Sequence, residues 1–242
     1  MTDPVEHPRT EAEIAAYVDR SAAEAAKFRA EADKAEAEAR DAYAKAAVSE
    51  LAADEKIQAR RETEAGDVYH HVYRFNGGVD ASTVGKAVTK TTEWHRLDPG
   101  CAIEIIFHSP GGAVIDGFAL FDHLRWLSSQ DHKITTGCTG MAASMAGILM
   151  QAGDHRWMSQ ECWYMIHRAA FAAHGQTFDI EDEVEWVKRI EKRIVDIFVA
   201  RSNVTAQKIR RNWDRKDWWI DSDQALEYGL VDEIRGAATL TE

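Results

Sequence analysis

Glycine and proline are absent from residues 11–65 of this 242-residue chain. Alanine instead alternates there with glutamate, aspartate, lysine and arginine, and most of these residues are strong helix formers. Because the residues that end or kink helices are missing, the sequence predicts one continuous helix over Glu11–Ala65. At a rise of about 1.5 Å per residue, this helix would be about 80 Å long.

Long apolar runs and cysteines are also scarce. No apolar run reaches roughly eighteen residues, and the first residues are polar and acidic, so we expect neither a membrane span nor a signal peptide. Three widely spaced cysteines without metal-ligand pairing, Cys101, Cys138 and Cys162, predict reduced, buried thiols and no bound metal. The net charge of −12 argues against nucleic acid as a main partner. Together these features predict a cytoplasmic protein.

Strand-like and helix-like runs alternate after Gly66. The predicted strands are Val68–Phe75, Ala102–His108, Lys133–Cys138, Arg156–Met158 and Cys162–His167. The predicted helices are Ala81–His95, Ala113–Leu127, Met145–Ala152, Gln176–Ala200, Thr205–Trp213 and Ser222–Tyr228. Such alternation favours an α/β fold with a parallel sheet covered by helices. The sequence therefore predicts a helical arm, residues 1–66, and one domain, residues 67–242.

One serine lies at a predicted junction of strand and helix. The segment Gly140–Gly147 follows a strand and opens a helix, which places Ser144 in the first helical turn. Free backbone N–H groups and the positive helix end favour a developing anion at such a position. Ser144 is therefore a candidate nucleophile, although a serine in an alanine-rich segment commonly serves only to pack.

Two other strand ends offer a base and hydrogen-bond donors. One apolar strand ends at His167, and another leads into the turn Ser109-Pro110-Gly111-Gly112, whose glycines can present backbone N–H groups. Acyl transfer needs a nucleophile, a base and donors for the oxyanion. The glycine pair can equally be only a turn. The alternative bases are His108, His155 and His174.

Taken in order, these motifs resemble those of the proteolytic subunit of the Clp protease family, a serine peptidase with a ClpP/crotonase-like fold. The resemblance extends from about Val68 to Ile234. It includes the oxyanion loop Ser109–Gly112, the nucleophile motif Gly140–Ala146, the histidine motif Met165–His167, the start of the handle at Gly175–Ile180, and the closing segment with Lys216-Asp217 and Ala225–Asp232.

The resemblance implies a residue set for peptide hydrolysis through an acyl-enzyme, without a metal or an organic cofactor. Ser144 matches the nucleophile, His167 the base, and Asp217 the acid that orients the histidine. The backbone N–H groups of Gly112 and Met145 match the oxyanion donors. The neighbours Asp214, Asp221 and Asp223 remain alternatives for the acid. The substrate is expected to be a protein or peptide that lies extended beside the handle.

Departures from the family affect substrate binding and assembly. Gly111, Ala169, Ala170 and Phe171 are predicted to bind substrate, but the family has a proline and glycines where this chain has alanines and a phenylalanine. At the position before Asp217 the chain has Lys216. The family commonly has an arginine there, which makes contacts between two stacked rings of subunits. The resemblance implies a ring-forming homo-oligomer, and we leave its subunit number and the stacking of its rings open.

The handle helix carries an apolar stripe at three- and four-residue steps. Its members are Ile180, Val184, Val187, Ile190, Ile194 and Ile197. A stripe of this length on a projecting helix predicts packing against a neighbouring subunit.

The arm replaces the short axial loops of the family, so docking of an ATPase unfoldase stays open. A small-residue seam near a 3.5-residue period predicts a coiled coil with another copy or another protein; the alternative is a solvated helix. The seam residues are Ile14, Val18, Ala25, Phe28, Ala32, Ala35 and Ala39. Helices of this composition also resemble scaffolding segments, which makes a phage head maturation protease one hypothesis.

Two other classes of function remain open from the sequence. A crotonase-type acyl-CoA enzyme shares the fold and uses paired backbone N–H donors, but it does not need the serine, histidine and aspartate together. A catalytically idle assembly or scaffold protein would use the arm alone.

Overall fold

The computed structural model describes residues 10–172 and 174–236 of the chain. The chain divides into two compact units, Met1–Glu64 and Ala65–Glu242. Within the described residues, no helix is both long enough and apolar enough to cross a lipid bilayer.

The described part of the first unit is a single helix, α1, Glu11–Glu64, which contains no buried residue. Ion pairs four residues apart run along it, including Glu36–Arg40 and Asp41–Lys45, each with an N–O distance of 2.6 Å. Such exposed pairs stabilise a helix by only about 0.3–0.5 kcal/mol each. Apolar side chains such as Val18 and Phe28 are exposed. The helix is therefore held by local interactions and not by a core within this chain.

The second unit is a seven-stranded sheet with six helices. The strands are β1 Val72–Asn76, β2 Ile103–Ser109, β3 Ile134–Ala143, β4 His155–Ser159, β5 Trp163–Ile166, β6 Trp218–Ile220 and β7 Glu233–Arg235. The helices are α2 Ala81–Leu97, α3 Val114–Ser129, α4 Met145–Met150, α5 Thr177–Arg201, α6 Ala206–Trp213 and α7 Ser222–Glu227.

The sheet is mostly parallel, as the sequence predicts. Its main path has the order β1-β2-β3-β4-β7, and every neighbouring pair along it is parallel. The C-terminal part of β3 also pairs in parallel with β5, which pairs antiparallel with β6. Strand β3 therefore pairs with three strands, β2, β4 and β5, and its end reaches the segment that contains Ser144.

Several predicted element bounds are wrong. Strand β1 begins at Val72 and not at Val68, because residues 67–71 form a turn closed by a hydrogen bond from the Val72 N–H to the Asp67 carbonyl. Strand β3 continues to Ala143, five residues beyond the predicted end. Strands β6 and β7 were not predicted, since each has only three residues.

Two predicted helix ends also differ from the structure. Helix α7 begins at Ser222 as predicted but ends at Glu227, and the Asp221 side chain caps its start by accepting a hydrogen bond from the Gln224 N–H. Helix α4 ends at Met150, two residues before the predicted end at Ala152. Gly153, three residues beyond this end, lies where a Cβ would clash with the Thr136 hydroxyl. The lack of space for a side chain, and not a left-handed backbone, therefore explains the glycine.

The apolar stripe of α5 divides between the core of this chain and its surface. Val187 and Ile194 are buried against the rest of the domain, whereas Ile180 is 40% exposed. The prediction that the whole stripe packs against a neighbouring subunit is therefore wrong for Val187 and Ile194. Ile194 instead helps to form one wall of the cleft described below.

The cysteines are free, and their burial differs. Cys138 and Cys162 are buried, as predicted. Cys101 is only partly buried, because it lies in the loop between α2 and β2 at the margin of the sheet. The prediction of three buried thiols is wrong at this position.

Candidate active site

Ser144 lies between the end of β3 and the start of α4 with an unusual backbone. Its φ is 55° and its ψ is −122°, and positive φ is uncommon for a residue with a Cβ. Its N–H donates to the Met165 carbonyl at 2.9 Å, which holds the sharp turn against β5. Residues in such sparse regions cost on the order of 1–3 kcal/mol and concentrate at functional sites.

His167 lies beside this serine because of the register between β3 and β5. Ala143 is paired with Met165 at the end of the two parallel strands, so the residues that follow leave the sheet at the same edge. The His167 Nε2 atom is 2.6 Å from the Ser144 Oγ atom. This distance is a hydrogen bond between a hydroxyl and an imidazole.

Asp217 completes a chain of three side chains. Its Oδ1 atom is 3.6 Å from the His167 Nδ1 atom, and its side chain is 54% exposed. The imidazole nitrogen and the carboxylate oxygen are within the distance of an ion pair, but their separation exceeds that of a hydrogen bond. When Nε2 accepts the serine proton, the Nδ1 proton faces this carboxylate. The carboxylate is then positioned to stabilise the protonated imidazole.

The glycine turn after β2 packs closely against the serine. Gly111 has a φ of 89°, and a Cβ there would lie 2.6 Å from the Ala143 carbonyl oxygen and 2.8 Å from the Met145 nitrogen. Gly112, with a φ of 150°, has equally little space, because a Cβ would lie 2.3 Å from the Val79 carbonyl oxygen. Only glycine fits at both positions without displacing the backbone.

The turn and the helix each offer a backbone donor. The Val79 N–H donates to the Gly111 carbonyl, and the Ala113 N–H donates to the Val79 carbonyl. The Gly112 N–H takes no part in this bridge. Met145 is the first residue of α4, and the N–H groups of a first helical turn have no acceptor within the helix. Gly112, Ser144 and Met145 all line one cleft. The cleft therefore combines a hydroxyl, an imidazole and two residues with available donors.

This cleft has a volume of about 240 Å³ and is bordered by β5, α4 and α5. Its apolar walls include Ile148, Ile194 and Phe198. Ala169 and Ala170 line it, whereas Phe171 does not and is 48% exposed. Gly111 is buried behind the serine and also does not line it. Of the four residues predicted to bind substrate, the structure brings the two alanines to the cleft.

The alternative bases have other partners. The Nδ1 atom of His108 is 3.0 Å from the Thr139 carbonyl oxygen, and the Nε2 atom of His155 is 2.9 Å from a Glu233 carboxylate oxygen. His174 is exposed beyond the segment that leaves β5. Among the described contacts of Ser144, the imidazole is that of His167.

One residue pair at the cleft was missed by the sequence analysis. Arg168 makes two hydrogen bonds to Glu191 of α5, at 2.9 and 3.0 Å, and these raise the pKa of the arginine. The Glu191 side chain is only 13% exposed. The pair fixes the segment after His167 against α5. Nothing in the sequence indicates it, because the two residues are 23 positions apart and carry no local pattern.

Sequence comparisons match the second unit of this chain to known proteins. The family model of the Clp protease matches residues 71–237. The chain is 36% identical over 140 residues to the ATP-dependent Clp protease proteolytic subunit of Bacteroides fragilis, covering 57% of this chain and 66% of that protein. The subunit of Bacteroides thetaiotaomicron is 36% identical over 158 residues, covering 64% and 70%. For Porphyromonas gingivalis the identity is 34%, covering 57% and 61%.

The alignments thus span about two-thirds of each relative, with shares between 61% and 70%. The family match begins at His71, at the start of β1, and leaves α1 outside. It includes the turn before α3, the end of β3 and the β5–β6 pair. Because the match covers well over half of this chain, the chain belongs to the Clp protease family.

Proposed function

We propose that the protein is a serine endopeptidase that cleaves peptide bonds through an acyl-enzyme. The observation that carries the proposal is the 2.6 Å hydrogen bond between Ser144 Oγ and His167 Nε2, with Asp217 on the other side of the ring. A nucleophile, a base and an orienting acid in this order are the requirements of hydrolysis by a serine peptidase.

In the first step, Ser144 Oγ attacks the carbonyl carbon of the scissile peptide bond. His167 Nε2 takes the hydroxyl proton as the carbon–oxygen bond forms, and the Asp217 carboxylate stabilises the resulting imidazolium. The imidazolium then gives the proton to the leaving amine, and the carbon–nitrogen bond breaks. In the second step, a water molecule repeats the sequence and releases the acid product from the serine.

Negative charge develops on the carbonyl oxygen in both steps. The N–H groups of Gly112 and Met145 are the proposed donors for this oxyanion, and the N-terminus of α4 adds its positive dipole end. Removing one such donor in other enzymes costs about 10²–10³ in rate. The cleft supports this assignment, because it is lined by Ser144 together with Gly112 and Met145.

The substrate is proposed to be an extended peptide that passes the cleft next to α5. Residues 167–172 follow β5 without regular secondary structure, so their backbone groups are available to pair with an added strand. The ion pair of Arg168 with Glu191 would hold this segment in place. Ala169 and Ala170 leave room for side chains of the substrate, and Gly111 contributes by its close packing and not by direct contact.

We further propose that the chain assembles as a homo-oligomeric ring. Between α3 and α5 there is a groove of about 670 Å³. Its lining combines apolar residues, including Ile115, Phe118 and Trp186, with the charged residues Asp122, Arg189, Arg193 and Asp196. Ile115 is 57% exposed and Trp186 is 44% exposed. A patch of this kind on a family member supports burial against another copy. Stacking of rings remains a hypothesis, since Lys216 stands before Asp217 where the family has an arginine. A partner ATPase also remains a hypothesis, since the arm stands where the family has its axial loops.

Helix α1 is proposed to be a partner helix, paired as a coiled coil with another copy or another protein. Support comes from its length, its exposed Val18 and Phe28, and the lack of any buried residue among its 54 residues. A role in phage head maturation stays a hypothesis about this segment. A cytoplasmic location is proposed on the basis of the free cysteines.

A fluorophosphonate probe tests the proposed chemistry, because it bonds covalently to an activated serine. We expect stoichiometric labelling of the full-length protein at Ser144, and loss of labelling in Ser144→Ala and His167→Ala. Ser129→Ala is a matched control, since Ser129 is an exposed serine at the end of α3 whose hydroxyl donates to the Trp126 carbonyl, outside the cleft.

Each other outcome has a defined meaning. Failure to label Ser144 in the assembled, folded protein would contradict the peptidase proposal and leave an assembly role. Labelling that persists in His167→Ala would assign the base to another residue. Turnover of an acyl-CoA thioester that survives Ser144→Ala would favour a crotonase-type enzyme.

A further inference from the structure

A second cluster of reactive side chains lies at the amino ends of β1 and β2. The ligand atoms of His71, Asp98 and Cys101 all lie within 4.8 Å of one another. The His71 Nε2 atom is 3.9 Å from an Asp98 carboxylate oxygen. Ser144 follows the carboxyl end of β3 in the same parallel sheet. The cluster is therefore at the opposite edge of the sheet from the proposed active site.

Three local features bring these residues together. His71 ends the turn before β1 with a φ of 54°, and its carbonyl accepts from the Glu104 N–H of β2. Asp98 is the C-cap of α2, and its N–H donates to the Trp94 carbonyl. The Cys101 N–H donates to the Asp98 carbonyl, which closes the loop into β2. The backbone of each residue is thus fixed by its own hydrogen bond.

Neighbouring side chains orient the cluster as outer-shell groups orient metal ligands. The His71 ring packs edge-on against Trp94, with ring centroids 5.4 Å apart. The buried His132 has its Nδ1 atom 2.9 Å from the Cys101 carbonyl oxygen and 3.6 Å from the Cys101 sulfur. Its Nε2 atom is 2.8 Å from the His95 Nδ1 atom. The His132 ring is thereby fixed beside Cys101, in the place that an outer-shell group takes next to a metal ligand.

We propose that His71, Asp98 and Cys101 bind one zinc ion. An imidazole, a carboxylate and a thiolate are the donor types that Zn²⁺ takes, and calcium and magnesium do not use sulfur. With bonds of about 2.0–2.3 Å, tetrahedral ligand atoms lie about 3.4–3.6 Å apart, so the side chains need to close by only about 1 Å. The proton of the thiol leaves to solvent on binding.

The fourth position would be taken by water. The Asp98 side chain is 61% exposed, so the cluster opens to solvent on that side. The ion would join the turn before β1 to the loop before β2, which are the starts of two paired strands. We therefore expect zinc to stabilise the domain rather than to take part in peptide hydrolysis.

Titration of the metal-free, full-length protein with Co²⁺ and Zn²⁺ tests the site. We expect one Co²⁺ per chain with a thiolate-to-metal charge-transfer band, displacement of that ion by Zn²⁺, and a higher melting temperature with zinc. Cys101→Ser should abolish the band although Cys138 and Cys162 remain. His71→Asn should weaken Zn²⁺ binding by at least the roughly 10- to 100-fold that loss of an outer-shell partner costs.

The controls separate this site from other histidines and from misfolding. His70→Asn removes the adjacent exposed imidazole and should bind zinc like the wild type. Asparagine suits the positive φ of His71, and Asp98→Asn alters an exposed side chain, so at least one variant should remain folded by circular dichroism. Fluorophosphonate labelling should continue with one equivalent of zinc bound.

Two results would overturn the proposal. One is the absence of stoichiometric binding, or equal binding by the wild type, Cys101→Ser, His71→Asn and Asp98→Asn. The other is zinc that blocks labelling of Ser144 in proportion to its binding, with binding retained in His71→Asn. That result would assign the ion to the imidazole of His167.

Discussion

Ile166 of β5 and Trp218 of β6 lie directly opposite each other in the antiparallel register. His167 directly follows β5 and Asp217 directly precedes β6, so these two candidate site residues lie next to each other at the end of this strand pair. Trp218 is 9% exposed and packs against Tyr228, with ring centroids 5.8 Å apart. Burial of the tryptophan thereby holds the carboxylate beside the imidazole.

Asp217→Asn should lower kcat for peptide hydrolysis by about 10²–10⁴-fold, because the amide does not stabilise the imidazolium and favours the wrong tautomer. Steady-state kinetics with a fluorogenic peptide measures the change. Asp214→Asn is the control, since Asp214 is an exposed carboxylate at the C-cap of α6, three residues before Asp217. A larger loss in Asp214→Asn than in Asp217→Asn would show that the acid had been misassigned.

Gly111→Ala should reduce kcat/KM by about 100-fold while the domain stays folded, because a displacement near 1 Å at the reacting groups has an effect of that size. Its Cβ would lie 2.7 Å from the Ser144 Cβ. Gly77→Ala is a matched control, since Gly77 has a φ of 93° and no atom within 4 Å of a Cβ.

Both substitutions place an alanine at a backbone position with positive φ, which destabilises the fold by about 1–2 kcal/mol in each case. Their difference in activity therefore isolates the contact with Ser144 and Met145. Equal peptidase activity in the two variants would mean that the glycine turn does not position the serine.

Ile115→Asp should dissociate the proposed oligomer, because it replaces an exposed apolar side chain of the groove between α3 and α5 by a charge that would be buried on assembly. Analytical ultracentrifugation of the full-length protein would detect the smaller species. Leu226→Asp is the control, since Leu226 is a 42% exposed residue of α7 outside that groove. An unchanged sedimentation coefficient in Ile115→Asp would remove the groove from the assembly interface.

Asp232→Asn should destabilise the domain at pH 7 and have less effect at low pH. Arg156, itself 8% exposed in its side chain, binds both Asp232 oxygens, at 2.6 and 3.0 Å. Burial alone would raise the pKa of Asp232, but the hydrogen bonds and charge of Arg156 lower it overall. A carboxylate with a lowered folded pKa stabilises the fold above its unfolded value, about 3.9, and less as the pH falls through the folded pKa.

Urea unfolding at pH 7 and at about pH 3 measures this difference. At pH 7 we expect a loss of about 2 kcal/mol, below the roughly 3–5 kcal/mol of a fully buried pair, because the Asp232 side chain is 37% exposed. Glu227→Gln, an exposed change at the end of α7, should alter stability by less than about 0.5 kcal/mol. A penalty for Asp232→Asn that grows as the pH falls would contradict the assigned direction of the pKa.

The parts of the site that follow from local sequence could be predicted. Ser144 stands at a strand-to-helix junction, His167 closes an apolar strand, and the glycine pair follows another strand. The position of Asp217 depended on the resemblance, because β6 has only three residues and pairs with a strand more than 50 positions earlier. Short strands carry too little periodicity to be recognised from the sequence alone.

Contacts between distant segments account for the remaining differences. The ion pair of Arg168 with Glu191 and the approach of His71 to Cys101 depend on how a helix or loop lies on the sheet. Cys101 has no second cysteine or histidine at a metal-ligand spacing, so the sequence predicted a buried thiol. The packing of Ile194 inside its own domain was missed for a similar reason, since periodicity identifies an apolar face but not what covers it.

The absence of buried residues from α1 also has a consequence for hydrogen exchange. Amide protons in the sheet of the second unit are protected by its core, so they exchange through large openings of that unit. In α1 no such core exists within the chain, and exchange should proceed by local unwinding from each helix end. The protection of α1 should therefore depend on protein concentration if its partner is a second copy, while that of β3 should not.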